Sequence, residues 1–225
     1  MAVPPDLVEF AETAGLSAVG YGVNTQVWMD VHRDLWTCMT STAWKIGEIR
    51  RLRRELRSRF AESLEDAATT LKTFAGGCDV ILTGRTLEEP AANIAEYYDI
   101  PLATMHHSPQ RPHGQLYPSL PAQVGRFAMN VNEWTYWRGI KTIDDSQRRE
   151  LHLPKATVPV SRRIADRGSL EIQAYDEVCF PGVATDWAKW EDQRPFVGAL
   201  TLELATDADE DVESWIAAGT PPIFF

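Results

Sequence analysis

The stretch CDVILTGRTLEEPAANIAEYYDIPLATM (residues 78–105) decides the fold. Its first part, CDVILTG, is a short apolar run that predicts a buried strand over residues 78–84. The next part, EEPAANIAEYYDI, predicts a helix with Pro90 in its first turn, where a proline is tolerated. PLATM predicts another strand. A strand, a helix and a second strand in succession form a right-handed crossover between parallel strands.

The same alternation extends toward the amino terminus. MAVPPDLVEFAETAGL (1–16) predicts a short strand followed by a helix, and SAVGYG (17–22) predicts a second strand. The glycines at the end of that strand suggest an irregular stretch through residues 24–26. Apolar side chains at every third or fourth position predict a long helix over residues 44–74, which a Gly-Gly pair ends.

The downstream patterns predict elements of the same two kinds, and together they give an α/β fold class. The fold is a Rossmann-like open parallel sheet with helices on both faces, which holds ligands outside the carboxyl ends of its strands. The predicted helices are residues 122–143, 144–151 and 206–218, and the predicted strands are SLEIQAY (169–175), EVCF (177–180) and PIFF (222–225).

Composition restricts the class of protein and of partner. The 225 residues are 44% hydrophobic and 24% charged, which is typical of a globular domain rather than a disordered chain. A net charge of −10 disfavours a general nucleic-acid or anionic-membrane partner, because the field of the whole protein would repel phosphates, although local basic patches can still matter. No apolar run reaches the roughly 20 residues of a membrane span. Three widely spaced cysteines, Cys38, Cys78 and Cys179, predict no disulfide framework and favour a cytoplasmic protein.

Common catalytic motifs are missing from the sequence. It has no GxSxG elbow, P-loop, HExxH motif or kinase signature, so hydrolase, nucleotidase and protease functions lose their usual support. GYG (20–22) has two of the three glycines of a dinucleotide-binding fingerprint, and a turn at the end of a strand explains it better.

The segment HHSPQRPHGQLYP (106–118) follows a predicted strand and lies at the edge of the sheet where ligands bind. We call it the histidine loop. The spacing of its three histidines is not helical and no carboxylate lies among them, so we expect no metal site. Imidazoles and a guanidinium at this edge can hydrogen-bond a polar or hydroxylated ligand. A proline-stiffened surface loop without a ligand is the alternative.

Two other clusters have competing interpretations. Six arginines between residues 50 and 59 surround an apolar ridge, and glutamates at pairing distance indicate a solvated helix face rather than a nucleic-acid stripe. Trp134, Tyr136 and Trp137 have helical spacing, which is more typical of a core than of a pocket. Their position after the histidine loop also allows an aromatic wall for a bulky apolar ligand.

Several stretches resemble bacterial glycosyltransferases of the two-domain GT-B fold, in particular those that glycosylate glycopeptide antibiotics and mycobacterial glycopeptidolipids. These stretches are DVILTG, NIAEYYDIPLATMHHSPQRPHGQ, RRELHLPKA, FVGALTLEL and VESWIAAGTPPIFF. The last is the most specific, because the family has a linker there that leads into the first strand of its second domain. His152 differs from the family, which commonly has glycine in LGLP.

The resemblance implies a domain division and a truncated chain. Residues 1–198 would be the acceptor-binding N-terminal domain without its first β-α unit, and 199–225 the linker and the start of the nucleotide-sugar domain. The family's acidic base would precede Met1, so no catalytic residue is expected here. Residues expected to contact the acceptor are His106, His107, Arg111, His113, Gln115, Tyr117, Trp134 and Trp137.

The implied activity is transfer of a hexose from a nucleotide-activated sugar, a UDP- or dTDP-sugar, to a hydroxyl of a lipid, glycopeptide or other small molecule. The nucleotide sugar is a co-substrate that would bind through the second domain, and no cofactor or metal is expected. The chain alone would be weakly active or inactive. A non-catalytic small-molecule binding module derived from the acceptor domain is the alternative, and an unrelated flavodoxin-like enzyme is a weaker one.

Overall fold

The structure is a computed structural model that describes residues 1–42, 44–115, 119–201 and 207–220. Within those residues the strands are β1 (Ala2–Val3), β2 (Val19–Gly20), β3 (Ile81–Gly84), β4 (Leu102–His106) and β5 (Leu170–Gln173). The α-helices are α1 (Val8–Thr13), α2 (Thr25–Ser41), α3 (Ile46–Ala75), α4 (Glu88–Tyr98), α5 (Ala122–Glu150), α6 (Val160–Asp166), α7 (Val183–Asp186) and α8 (Asp207–Ala218). Short 3-10 turns cover Pro5–Leu7, Arg85–Leu87, Glu177–Cys179 and Ala188–Gln193.

All strand pairings between these elements are parallel, which confirms the predicted α/β class. The strands form two sheets, with β1 beside β2 and with β3, β4 and β5 in that order. Ile81 is in register with Leu102, and Met105 with Ile172. The sequence suggested one continuous sheet. The structure instead has two separate sheets, with no hydrogen-bonded pairing between β1 and β3.

The β3–α4–β4 unit holds the centre of the molecule, as its sequence predicts. α4 is buried over most of its length, since it is covered by α3, α5 and α6. α4 contributes Ala91 and Ile94 to the hydrophobic core. There they pack with Ile81, Leu102 and Ile164. The helix ends at Asp99, which adopts a left-handed conformation with φ of 53°.

α2 and α3 form a long antiparallel hairpin. Asn24 caps α2 by accepting a hydrogen bond from the Gln26 amide at 2.8 Å. The rings of Trp28 and Phe60 are 5.8 Å apart, which places the start of α2 beside the middle of α3. The interpretation of residues 24–26 as an irregular stretch is therefore wrong, because Asn24 is a strong helix cap and the helix begins directly after it.

Two further predictions need correction. The helix predicted in two pieces over residues 122–151 is one helix, α5. It passes through Asp144 because that side chain is paired with Arg163 and Asn93 rather than with its own backbone. EVCF is not a strand. Asp176 accepts a hydrogen bond from the Val178 amide, which fixes a 3-10 turn there.

The carboxyl-terminal helix is observed as α8, close to its predicted bounds. The predicted final strand at residues 222–225 lies outside the described residues. In the part of the chain that the structure describes, none of the helices combines the length and the apolar character needed to cross a bilayer.

Candidate functional site

A cavity of about 220 Å³ lies where the carboxyl ends of strands from both sheets meet. Pro4 follows β1, Tyr21 follows β2, and Thr86 and Leu87 follow β3, so each of these strands delivers lining residues. Open α/β sheets bind ligands at this edge. We call it the strand-end cavity. Its remaining walls come from the α2–α3 hairpin, through Val23, Thr25, Trp28, Phe60, Ser63 and Leu64.

Backbone geometry around Gly22 shapes this cavity. Gly22 has a φ of 67°, and its amide donates a hydrogen bond to the Asp66 carboxylate on α3. A Cβ at this position would lie 3.0 Å from the Ser63 hydroxyl. The Thr25 amide donates to Asp6 at 2.9 Å. These contacts hold the segment between β2 and α2 against α3 and against the turn that follows β1.

The chemistry of the strand-end cavity suits an apolar ligand that carries hydroxyl groups. Trp28 and Phe60 supply aromatic surface, while Tyr21, Ser63 and Thr86 supply hydroxyls. Few polar groups among mainly apolar walls are typical of small-molecule sites. Burial raises the pKa of Tyr21, so its hydroxyl stays protonated at neutral pH and can orient a ligand but not remove a proton from it.

The histidine loop begins in a buried charge cluster. His106 ends β4, and its Nε2 lies 2.7 Å from the Glu88 carboxylate at the start of α4. Arg111 donates to the same carboxylate at 2.9 and 3.0 Å, and Arg85 donates at 3.1 Å. His106, Arg111 and Glu88 are all buried. The structure therefore brings two of the predicted site residues together, through an acid that sequence reasoning did not select.

A second carboxylate completes this cluster. Glu171, buried in β5, accepts hydrogen bonds from Arg111 and from Arg194, the latter at 3.0 Å. The Arg194 guanidinium lies 4.4 Å from the centre of the Trp190 ring. Burial alone would raise the pKa of Glu88, but Arg111, His106 and Arg85 outweigh it and lower that pKa to about 2.

Residues 112–115 of the loop are fixed by contacts with the segment around α7. The Gly114 amide donates to Asp186, and the Trp187 indole donates to the Pro112 carbonyl at 3.1 Å. His113 is buried edge-on against the Trp187 ring, and its Nδ1 accepts the Gln115 amide at 3.1 Å. This part of the loop is an ordered structure, not a free surface segment.

The other predicted acceptor contacts are dispersed. His107 is exposed. Trp134 is exposed, and the Arg138 guanidinium lies 5.1 Å from the centre of the Trp134 ring. Trp137 is buried, with the Lys141 ammonium over its ring. Tyr117 lies outside the described residues. The seven predicted residues that the structure describes do not line the strand-end cavity.

Arg111 lines a different cavity of about 370 Å³, which borders the histidine loop. Its lining has five basic residues, Arg111, Arg126, Arg162, Lys189 and Arg194, and three acidic ones, Glu133, Asp166 and Asp186. Among the described residues, no group of three His, Cys, Asp or Glu side chains is arranged to hold a metal ion.

Sequence reasoning missed Trp28 and Phe60, which line the strand-end cavity. Phe60 belongs by its spacing to the apolar ridge of α3, and the prediction places no helix around Trp28. Asn24 as a helix cap was the signal that could have placed Trp28 on a helix. Glu171 and Arg194 carry no local signal, because their burial depends on each other across 23 residues of chain.

Comparison with known proteins adds a relationship over the whole chain. The chain is 49% identical over 227 residues to a protein of Mycobacterium tuberculosis (strain ATCC 25618 / H37Rv) that is named an uncharacterized glycosyltransferase. The match takes in 100% of this chain and 53% of that protein. A Mycobacterium leprae protein with the same kind of name is 49% identical over 223 residues, 99% of this chain and 51% of its own length.

A Mycobacterium bovis protein named only as uncharacterized is 46% identical over 228 residues, 100% of this chain and 52% of its own length. No protein-family model matches the chain. The chain spans about half the length of the curated relatives it matches. It is thus similar, from end to end, to one part of proteins named glycosyltransferases.

Proposed function

We propose that the chain is the acceptor-binding part of a glycosyltransferase of the GT-B type. The complete protein transfers a hexose from a UDP- or dTDP-sugar to a hydroxyl of a lipid, glycopeptide or other small molecule. The observation that carries the proposal is the 49% identity, over the whole chain, to proteins named glycosyltransferases. Residues 1–198 form the acceptor domain, and residues 199–225 lead into the nucleotide-sugar domain.

The strand-end cavity is the proposed site of the acceptor's apolar part. Its position at the carboxyl ends of three strands and its aromatic walls support this assignment. In the same proposal the histidine loop contributes the exposed His107 and the half-buried Gln115, and Trp134 on α5 adds an exposed aromatic surface. The buried side chains of His106, Arg111 and His113 position the loop.

Glycosyl transfer needs a base that removes the hydroxyl proton and donors that stabilise the leaving diphosphate. The raised pKa of Tyr21 makes that hydroxyl unsuitable as the base. As the resemblance to the GT-B family implies, both the base and the diphosphate contacts lie in other parts of the full protein. A cytoplasmic location, which the spacing of the three cysteines favours, is part of the same proposal. Cys38, Cys78 and Cys179 are free thiols.

Binding of the phenolic probe 4-methylumbelliferone tests the acceptor site. We expect the probe to raise the melting temperature of the chain, because a ligand at 100 times its Kd stabilises by about 2.7 kcal/mol. Trp28→Ala should abolish most of this shift, since it removes one aromatic wall of the strand-end cavity. UDP-glucose or dTDP-glucose alone should give no shift.

Trp215→Ala is the matched control, because it also removes an indole but neither lines this cavity nor belongs to the proposed acceptor surface. Melting without the probe shows whether each variant is folded. A loss of binding in Trp134→Ala with retention in Trp28→Ala would move the acceptor site to the histidine loop. A clear shift with a nucleotide sugar alone would refute the assignment of the donor site to the other domain.

A further inference from the structure

The free end of the α2–α3 hairpin exposes large apolar side chains. Trp36 on α2 is 69% exposed, Trp44 between the helices is 75% exposed, and Ile46 at the start of α3 is 58% exposed. Met39 is also exposed, and its sulfur is 3.8 Å from the Arg53 guanidinium across the hairpin. Apolar groups of this size clustered at one end of a structure usually mark an interaction surface.

The arginines of α3 divide into two sets with different electrostatic roles. Arg51 and Arg59 pair with Glu48 and Glu55 at distances of 2.6 to 3.4 Å, which forms an internally neutralised row along one side of the helix. The other set has no acidic partner within 4.0 Å among the described residues. Its members are Arg50, Arg53, Arg54 and Arg57, and all of them are exposed.

Helical spacing places the second set on one face. Positions 50, 53, 54 and 57 are three or four residues apart and therefore lie along a single stripe. Ile46 precedes Arg50 by four residues and lies on the same stripe. We call these four arginines the basic stripe, and Trp36, Met39, Trp44 and Ile46 the apolar tip.

We infer that the α2–α3 hairpin docks on the surface of an anionic lipid bilayer. Tryptophan favours the boundary between headgroups and acyl chains, and arginine can keep its charged end among headgroups while its stem covers apolar surface. Each cation near an anionic surface adds to the attraction. The net charge of −10 opposes approach to such a surface, but the four cations of the basic stripe lie on one face and complement it locally.

Docking in this manner places the strand-end cavity near the membrane. Trp28 in the cavity wall and Ser41 at the end of α2 are 13 residues apart, which is about 20 Å along a helix. The docking inference itself rests on the hairpin alone and does not require the proposed glycosyl transfer.

Co-sedimentation of the chain with vesicles tests this inference. We expect binding to vesicles of 30% phosphatidylglycerol in phosphatidylcholine, and at least tenfold weaker binding to phosphatidylcholine alone. The triple variant Arg50→Glu, Arg54→Glu, Arg57→Glu should lose at least tenfold in affinity for the anionic vesicles. The double variant Trp36→Ala, Trp44→Ala should also bind weakly, because it lacks the apolar tip.

The triple variant Arg138→Glu, Arg149→Glu, Arg162→Glu is the matched control, because it changes the net charge equally at exposed positions away from the hairpin. It should bind nearly as the parent does, and melting curves verify that each variant is folded. Equal losses in the two triple variants would overturn the inference, as would the absence of binding to anionic vesicles. Binding of single-stranded DNA without vesicles, or a dimer that the double tryptophan variant abolishes, would assign the surface to a nucleic acid or to a second copy instead.

Discussion

Arg111 shows how single residues determine the shape of the candidate site. Its guanidinium is buried between Glu88 and Glu171 and joins the start of α4 to β5. Buried charges are tolerated only when they are paired, because each carries a large desolvation cost. The histidine loop is held in place by this pairing.

Arg111→Met should therefore destabilise the protein strongly. We expect a loss of about 3 kcal/mol or more in the free energy of unfolding, because two buried carboxylates lose one of their cations. Urea denaturation measures this loss. Arg126→Met is the control, since Arg126 pairs with Asp186 at 3.1 Å in a half-exposed position and should cost less than about 1 kcal/mol. Equal effects of the two substitutions would contradict the structural role of Arg111.

Glu89 is the neighbouring acid with the opposite environment. It is only 3% exposed, it lines a cavity of about 370 Å³ between α3, α4 and α5, and its Oε2 has no partner among the described residues. Burial raises the pKa of Glu89 from 4.5 to about 7, although Arg85 opposes the change and Glu88 and Asp144 add to it. Glu89 is thus an acid that binds its proton more tightly in the folded protein than in the unfolded chain.

A raised pKa in the folded state means that stability is fully present below pH 4.5 and is lost as the pH rises through about 7. The difference corresponds to roughly 3 kcal/mol. Glu89→Gln should flatten this dependence and make the variant more stable than the parent at pH 8. Urea unfolding at intervals between pH 5 and pH 8 tests it, with Glu65→Gln on the exposed rim of the same cavity as the control. Parallel curves for Glu89→Gln and the parent would refute the assignment.

Among the elements, the connection between β2 and α2 depends on a conformation that other residues rarely adopt. Gly22 combines a positive φ with contact against Ser63 on α3. Gly139 has neither restriction, because it lies inside α5 and an added Cβ would meet nothing within 4 Å. Gly22 is therefore required by the backbone conformation and the packing at its position, whereas Gly139 is not.

Alanine substitutions should separate them. Gly22→Ala should cost about 1–2 kcal/mol through the left-handed backbone, plus displacement of Ser63. Gly139→Ala should stabilise by about 0.5–1 kcal/mol, because alanine has the higher helix propensity. Midpoints of urea unfolding measure both effects. The conformation described for Gly22 would be wrong if its substitution were as well tolerated as that of Gly139.

The success of sequence-based prediction also differed between elements. The β3–α4–β4 unit was predictable because apolar runs, turn residues and helix periodicity all lie within one short stretch. α5 was divided in the prediction at Asp144, since nothing local shows that this acid is paired with Arg163 from a later helix. The same limit applies to the buried acids Glu88 and Glu171, whose partners come from distant segments.

At the scale of the whole molecule, the two sheets meet at one ligand-sized cavity. The sequence predicted a ligand site at the carboxyl edge of the sheet. The strand-end cavity at such an edge is lined by Tyr21, Trp28 and Phe60, and of the eight residues selected from the pattern the seven that the structure describes do not line it. The assignment of those eight as acceptor contacts stays a prediction. A site assembled from three strands and a hairpin depends on long-range packing, which residue spacing does not encode.

The open edge of β3 has a thermodynamic consequence. Within the described residues, β3 pairs with β4 alone, and Leu82 on β3 is 58% exposed. Water must hydrate the amide groups that point away from β4. Any strand that added to this edge would release that water and cover apolar surface, so its association would carry a negative change in heat capacity.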